Sequence, residues 1–187
     1  MTIIAGGDFG IIIQNSDEDF ILKNCTVSNY AEGIRLYNTT NGILTCNNCT
    51  GNTANGIYLS NSDNNNITGN TANDNTNFGI ILFDHCNGNI ISRNNISICW
   101  RGVYLLDNCD SNTISGNIIN TNGGSGICLE NSNTNNISEN IANNNDYGIE
   151  FVEYCNNNTI LGNIANNNVQ NGIYFMQHNN NNNISGN

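Results

Sequence analysis

A glycine followed by a branched aliphatic residue returns at Gly10, Gly33, Gly56, Gly79, Gly102, Gly126, Gly148 and Gly172, in steps of 22–24 residues. This period constrains the chain more than any other feature. A repeat so short is one structural turn that cannot bury its apolar face alone, so the copies must stack into a solenoid. The copy Gly56-Ile-Tyr-Leu-Ser-Asn-Ser-Asp-Asn-Asn-Asn-Ile-Thr-Gly-Asn70 shows the pattern in full.

Spacing within the repeat decides between helix and strand. Ile57 and Leu59, Ile80 and Leu82, Val103 and Leu105, Ile127 and Leu129, Ile149 and Phe151, and Ile173 and Phe175 alternate with period two. That is the mark of a strand with one face inward. A second apolar station follows at Ile21, Leu44, Ile67, Ile91, Ile114, Ile137, Ile160 and Ile184, and a third at Ala72, Ile96, Ile119, Ala142 and Ala165. Clusters of Asn, Gly and Ser separate the stations and favour tight bends. The expected architecture is all-β: a parallel β-helix of about eight coils with three short strands per coil, spanning residues 1–187 as one domain. A leucine-rich solenoid needs an L-x-x-L-x-L core that no copy carries. Stacked at the ~4.8 Å interstrand spacing, the coils would make a rod of roughly 38 Å.

Asparagine accounts for 48 of the 187 residues, a bias that in an irregular chain would signal disorder. The fixed intervals of Ile and Leu argue for order instead. Asn24, Asn47, Asn70, Asn94, Asn117, Asn140, Asn163 and Asn187 all follow the second station and are expected to form a hydrogen-bonded file at one corner. Proline is absent, so every backbone N–H can enter a ladder. Residues 1–9 read as the tail of a preceding coil and Ile184–Asn187 as part of an eighth, which suggests a piece of a longer protein or end-to-end or face-to-face self-association through open strand edges.

The net charge of −11 sets nucleic acid and acidic membrane surfaces against the chain and favours a cation or a neutral glycan. No apolar run has the length of a membrane span, and no signal segment is present. The eight cysteines are irregularly spaced, and Cys46-Asn-Asn-Cys49 is an isolated pair, so they read as small apolar core residues. Cys86 and Cys109 fall at one offset on adjacent coils, either as a disulfide or as a stack of thiols.

The Gly56–Asn70 pattern resembles the parallel β-helix repeat (PbH1) of NosD-like and carbohydrate-binding and sugar-hydrolase (CASH) proteins, found in archaeal and bacterial surface proteins. The resemblance covers essentially the whole chain. It implies a right-handed, three-sided β-helix, an extracellular or cell-surface setting and a relation to polysaccharide. It implies no particular activity, because the repeated residues are core and corner.

Function therefore falls to outward side chains. On the first strand the outward positions include Tyr37, Tyr58, Phe83, Tyr104 and Tyr174, an aromatic face suited to stacking on sugar rings or packing against a neighbouring protein or domain. Beside it, Asp84 and Asp107 occupy one offset on adjacent coils. They read as bend residues, as weak Ca²⁺ ligands, or as the carboxylate pair of a glycosidase, lyase or epimerase with His85 and Arg101 nearby. The expectation is a rigid, non-catalytic module that binds glycan or protein through the aromatic face and needs no cofactor. Its alternative is a carbohydrate-active enzyme module using the acidic pair.

Overall fold

The computed structural model describes residues 2–187, with side chains from Gly7 onward. The chain is a right-handed parallel β-solenoid of about eight turns. One side of every coil contributes a strand to a nine-stranded sheet, called the long sheet here, that includes Phe9–Ser16, Asn55–Ser60, Phe78–Phe83, Arg101–Leu106, Ser125–Glu130 and Tyr147–Glu153. A second side forms an eight-stranded sheet of shorter strands. The third side is strand only at Asn95–Ser97 and Ile118–Asn120, and elsewhere is held by single bridges such as Asn48 to Thr71 and Ile141 to Ile164. Where three strands per coil were expected, most coils thus have two and a bridge.

The core follows from the register. Ile57, Ile80, Val103 and Ile127 stack in one file and Leu59, Leu82, Leu105 and Leu129 in another, all fully buried. Leu44, Ile67, Ile91, Ile114, Ile137 and Ile160 close the interior from the second side, and Ala72, Ile96, Ile119 and Ala142 from the third.

Two expectations at the first coil are corrected. Ile21 is 64% exposed, and Leu22 takes the inward position by pairing with Leu44. Phe20 decides the frame, because its ring lies over Gly42, where any Cβ would meet the ring at 2.2 Å. The one-residue slip carries on, so the N–H of Cys25, not of Asn24, reaches Asn47 Oδ1. Nor do residues 2–6 continue a preceding coil. They run antiparallel to Phe9–Ser16, pairing Thr2 with Gln14 and Ile4 with Ile12. At the other end, Ile184 is half exposed.

Amide side chains line all three corners. Asn47, Asn70, Asn94, Asn117, Asn140 and Asn163 each donate from Nδ2 to Oδ1 of the equivalent residue one coil on, ending at Asn187. A second file runs through Asn65, Asn89, Asn112, Asn135 and Asn158 to Asn182. The third joins Asn52 to Asn75 and Asn122 to Asn145 and Asn168, with Cys99 standing in one coil where the others have Asn. In every inner file the backbone N–H also donates to Oδ1 of the following coil. An outer file from Asp63 through Asn87, Asp110, Asn133 and Asn156 does the reverse, the N–H of each member after Asp63 reaching back to the preceding coil's side-chain oxygen. Immediately before each inward asparagine sits a residue of positive φ, such as Asn64 (56°), Gly69 (64°) and Asp74 (54°), the backbone region Asn, Asp and Gly tolerate best. Composition and fold therefore share one cause: each corner needs a left-handed residue and then a buried amide.

Candidate functional site on the outward face of the long sheet

The repeat glycine shapes the outward face. Phe78 pairs with Arg101, the glycines are passed over, and pairing resumes between Ile80 and Val103. A Cβ on Gly102 would lie 2.2 Å from Ile119 Cγ2 and 2.5 Å from the Gly126 carbonyl oxygen, so any side chain there must force its neighbours apart. The irregularity brings three rows outward instead of two. Side rows at the Arg101 and Leu106 positions cover a middle row containing Ile81, Tyr104, Cys128 and Glu150, all at most 7% exposed. Ile81, Tyr104 and Cys128 form a small apolar cluster outside the main core, with Tyr58, Phe78, Phe83, Leu106 and Val152 packed on it.

Charged groups are set into this cluster. The Arg101 guanidinium lies over the rings of Trp100 (4.7 Å) and Tyr104 (4.6 Å), and its Nη2 is 3.8 Å from Glu150 Oε2. Glu150 Oε2 also accepts from the Ser125 hydroxyl, and the Cys128 thiol is 3.7 Å away. The Tyr104 hydroxyl donates to Glu130 Oε2 at 2.6 Å. Burial, followed by the hydrogen bond to Glu130, pushes the Tyr104 phenol far above its ordinary range, and burial holds the Cys128 thiol protonated. Phe78 packs on both Trp100 (5.6 Å) and Tyr104 (5.2 Å). Trp100 itself is 51% exposed, at the edge of the face over Gly124, where the missing side chain makes room for it. An exposed indole beside an arginine and that arginine's partner carboxylate can stack on a sugar ring and bond its hydroxyls.

A second cluster repeats the design nearer the first coil. Arg35 Nη1 is 3.2 Å from Glu32 Oε2, and its guanidinium lies over Phe9 (5.1 Å) and Tyr58 (4.7 Å). Burial raises the Glu32 carboxyl above its usual range, a rise that Arg35 opposes.

The aromatic residues singled out from the sequence do not form one flat platform. Tyr37 is exposed, Tyr58 and Phe83 are half-buried with ring centroids 6.4 Å apart, and Tyr174 stacks on Tyr147 at 5.2 Å. Tyr104 is 5% exposed and its hydroxyl is committed to Glu130, so its ring faces are closed to a ligand.

Asp84 and Asp107 stack on adjacent coils at a corner where φ is 58° and 60°. Their carboxylates turn to separate partners. Asp84 lies 2.6 Å from His85 Nδ1 and accepts from Asn61 Nδ2 at 3.2 Å, whereas Asp107 accepts from Asn131 Nδ2 at 3.3 Å. The hydrogen bond from His85, then that from Asn61, holds the Asp84 carboxyl below its usual range. Among the described residues no group of three His, Cys, Asp or Glu side chains gathers as metal ligands.

Comparison with known proteins agrees with this architecture. A family model described as a right handed beta helix region matches residues 9–163. The chain belongs to this family. Among solved structures, this β-helix is similar to the periplasmic alginate epimerase AlgG (17% identity, TM-score 0.78, covering 90% of this chain and 51% of that one). It is also similar to the A-module of the Azotobacter vinelandii mannuronan C-5 epimerase AlgE6 (14%, 0.65, 91% and 58%) and to an alginate lyase from Paenibacillus sp. (15%, 0.51, 91% and 90%). The β-helix thus spans about half the length of AlgG. No curated protein matches its sequence.

Three participants at the face escaped the sequence reading. Trp100 lies at a corner rather than within a strand, although it is the only tryptophan in the β-helix, a signal available in the composition. Glu130 and Glu150 stand on the outward rows of the sequence but had no visible partner. Their contacts with Tyr104 and Arg101 are made 26 and 49 residues away, across one coil and two.

Proposed function

We propose that this chain is a rigid, non-catalytic module that binds glycan along the outward face of the long sheet, in the stretch from Trp100 and Arg101 to Glu130 and Glu150. The observation that carries this reading is the exposed Trp100 ring beside the Arg101–Glu150 pair. The corners, by contrast, spend their amides on bonds between coils. Solved proteins of similar fold named for alginate epimerisation and lysis support a polysaccharide ligand, and the periplasmic setting of AlgG supports work outside the cytoplasm. The NosD-like or CASH type is the finer assignment we favour within the β-helix family, on the Gly56–Asn70 pattern.

A glycan array followed by product analysis on each hit tests the reading. Binding without turnover, lost in Trp100→Ala while the circular dichroism melt is unchanged, is the expected result. No hit on the array, or hits unaffected by Trp100→Ala, would sink it. A second reading, a carbohydrate-active enzyme, is favoured by one feature: ionisable groups on neighbouring coils at one place, with Glu130 held by Tyr104 and Glu150 by Arg101. New reducing ends or altered sugars from wild type, absent with Glu130→Gln, would decide for it. The same assay on Asp84→Asn and Asp107→Asn tests the acidic pair in that role.

A further inference from the structure

We infer that the glycan taken by this face is an amine-bearing one, a glucosamine-type oligosaccharide, and not a polyuronate. The inference rests on the glycan-binding reading above and concerns the charge that the site selects.

Recognition of a uronate needs a cation free to meet its carboxylate, in the best case a planar guanidinium presented edge-on. The outward rows hold only two cations, Arg35 and Arg101. Each is already spent: Arg35 on Glu32 between Phe9 and Tyr58, Arg101 on Glu150 between Trp100 and Tyr104. Their side chains are 24% and 16% exposed. Against these two positive groups the rows set three carboxylates, Glu32, Glu130 and Glu150, leaving the face one negative charge in excess, and Glu153 lies just beyond them at the strand end opposite Gln177. Among the described residues Glu130 and Glu153 have no cationic partner, meeting only the Tyr104 hydroxyl and the Gln177 amide. Asp84 and Asp107 at the adjoining corner add to the same sign, and the whole chain carries −11. A polymer with one carboxylate on every ring would meet like charge along its length, whereas a polymer of protonated amines would meet complementary charge beside a stacking ring. The face shares its fold with proteins named for alginate while carrying the charge of a site for the opposite ligand.

The test is calorimetric titration of the full chain at about pH 6, where a sugar amine of ordinary amino-group pKa is charged, and at low salt. The probes are a glucosamine hexamer, its N-acetylated neutral counterpart and a mannuronate hexamer. The expected order has the glucosamine hexamer bound at least about tenfold more tightly than the mannuronate hexamer, one decade being about 1.4 kcal/mol. Glu130→Gln/Glu153→Gln should bring the glucosamine hexamer down to the level of the neutral one, with an unchanged melt. Trp100→Ala should weaken both. Equal or tighter binding of mannuronate overturns the inference and leaves the glycan reading standing. Binding of none of the three overturns the glycan reading itself. Glucosamine binding that ignores both variants would be attraction to the acidic rod as a whole, and overturns the inference as well.

Discussion

The Tyr104 hydroxyl and Glu130 Oε2 are joined at 2.6 Å from one coil to the next, so the middle row of the face is tied to its side row by a bond between side chains. Tyr104→Phe removes the bond and keeps the buried ring, while Glu130 stays in reach of water. Urea denaturation should show a loss of about 0.5–1.5 kcal/mol, the ordinary worth of such a bond.

Asn94 is bonded above and below. It accepts from the N–H and Nδ2 of Asn70 and donates to the Ile67 carbonyl and Asn117 Oδ1. Asn94→Ala strands several of these groups in the interior at once. A loss of about 3–5 kcal/mol is expected by denaturant midpoint, since each orphaned buried group costs about 1–3 kcal/mol.

Glycines divide into two kinds. Gly102→Ala forces a methyl against Ile119 and the Gly126 carbonyl and should cost about 1–3 kcal/mol by overpacking. Gly162 has a φ of +63°, and a Cβ there would meet nothing within 4 Å, so Gly162→Asn should change stability by less than about 0.5 kcal/mol.

Buried thiols make the fold sensitive to alkali. Burial pushes Cys49 from 9.0 up to about 12 and Cys99 and Cys155 up to about 11. The protonated form is the one the folded state holds, so the stabilisation is complete below about pH 9 and is lost as pH rises through 11–12. Melting temperature should be level from about pH 7 to 8.5 and fall above that, less steeply in Cys49→Ala. A thiol reagent at about pH 8 should titrate Cys46 first and Cys25 more slowly, and reach all eight cysteines after denaturation.

Asp84 and Asp107 occupy left-handed positions that asparagine fills in other coils, at Asn38, Asn61 and Asn131. The double change to Asn should keep stability within about 0.5 kcal/mol, measured by urea midpoint. Asp107→Val should cost about 1–2 kcal/mol, because a β-branched side chain resists positive φ.

The coil was legible because its signal is local: glycine and two inward aliphatics lie within four residues, and the Ile station follows at fixed distance. It failed where three apolar residues run together. At Phe20-Ile21-Leu22 alternation permits either frame, and only the seat of Phe20 on Gly42 selects Leu22. The second and third amide files were also written in the sequence, as asparagines five apart at Asn65, Asn70 and Asn75, but the loop-like composition hid their inward direction. The site was harder to see. Facing outward on a strand was equated with exposure, yet Tyr104 is buried because side rows close over it, a consequence of the extra row at the repeat glycine. Arg101 and Glu150 meet two coils apart, a distance that no short-range pattern records.

Inner and outer amide files point in opposite senses, the inner side-chain oxygens toward the preceding coil and the outer ones toward the next. Were all of them aligned, their dipoles would add with every coil, as peptide units do along a helix, and charge the two ends of the rod unequally. The opposed outer file offsets part of that sum. Each coil gained or lost by duplication then adds less polarity to the rod than aligned files would.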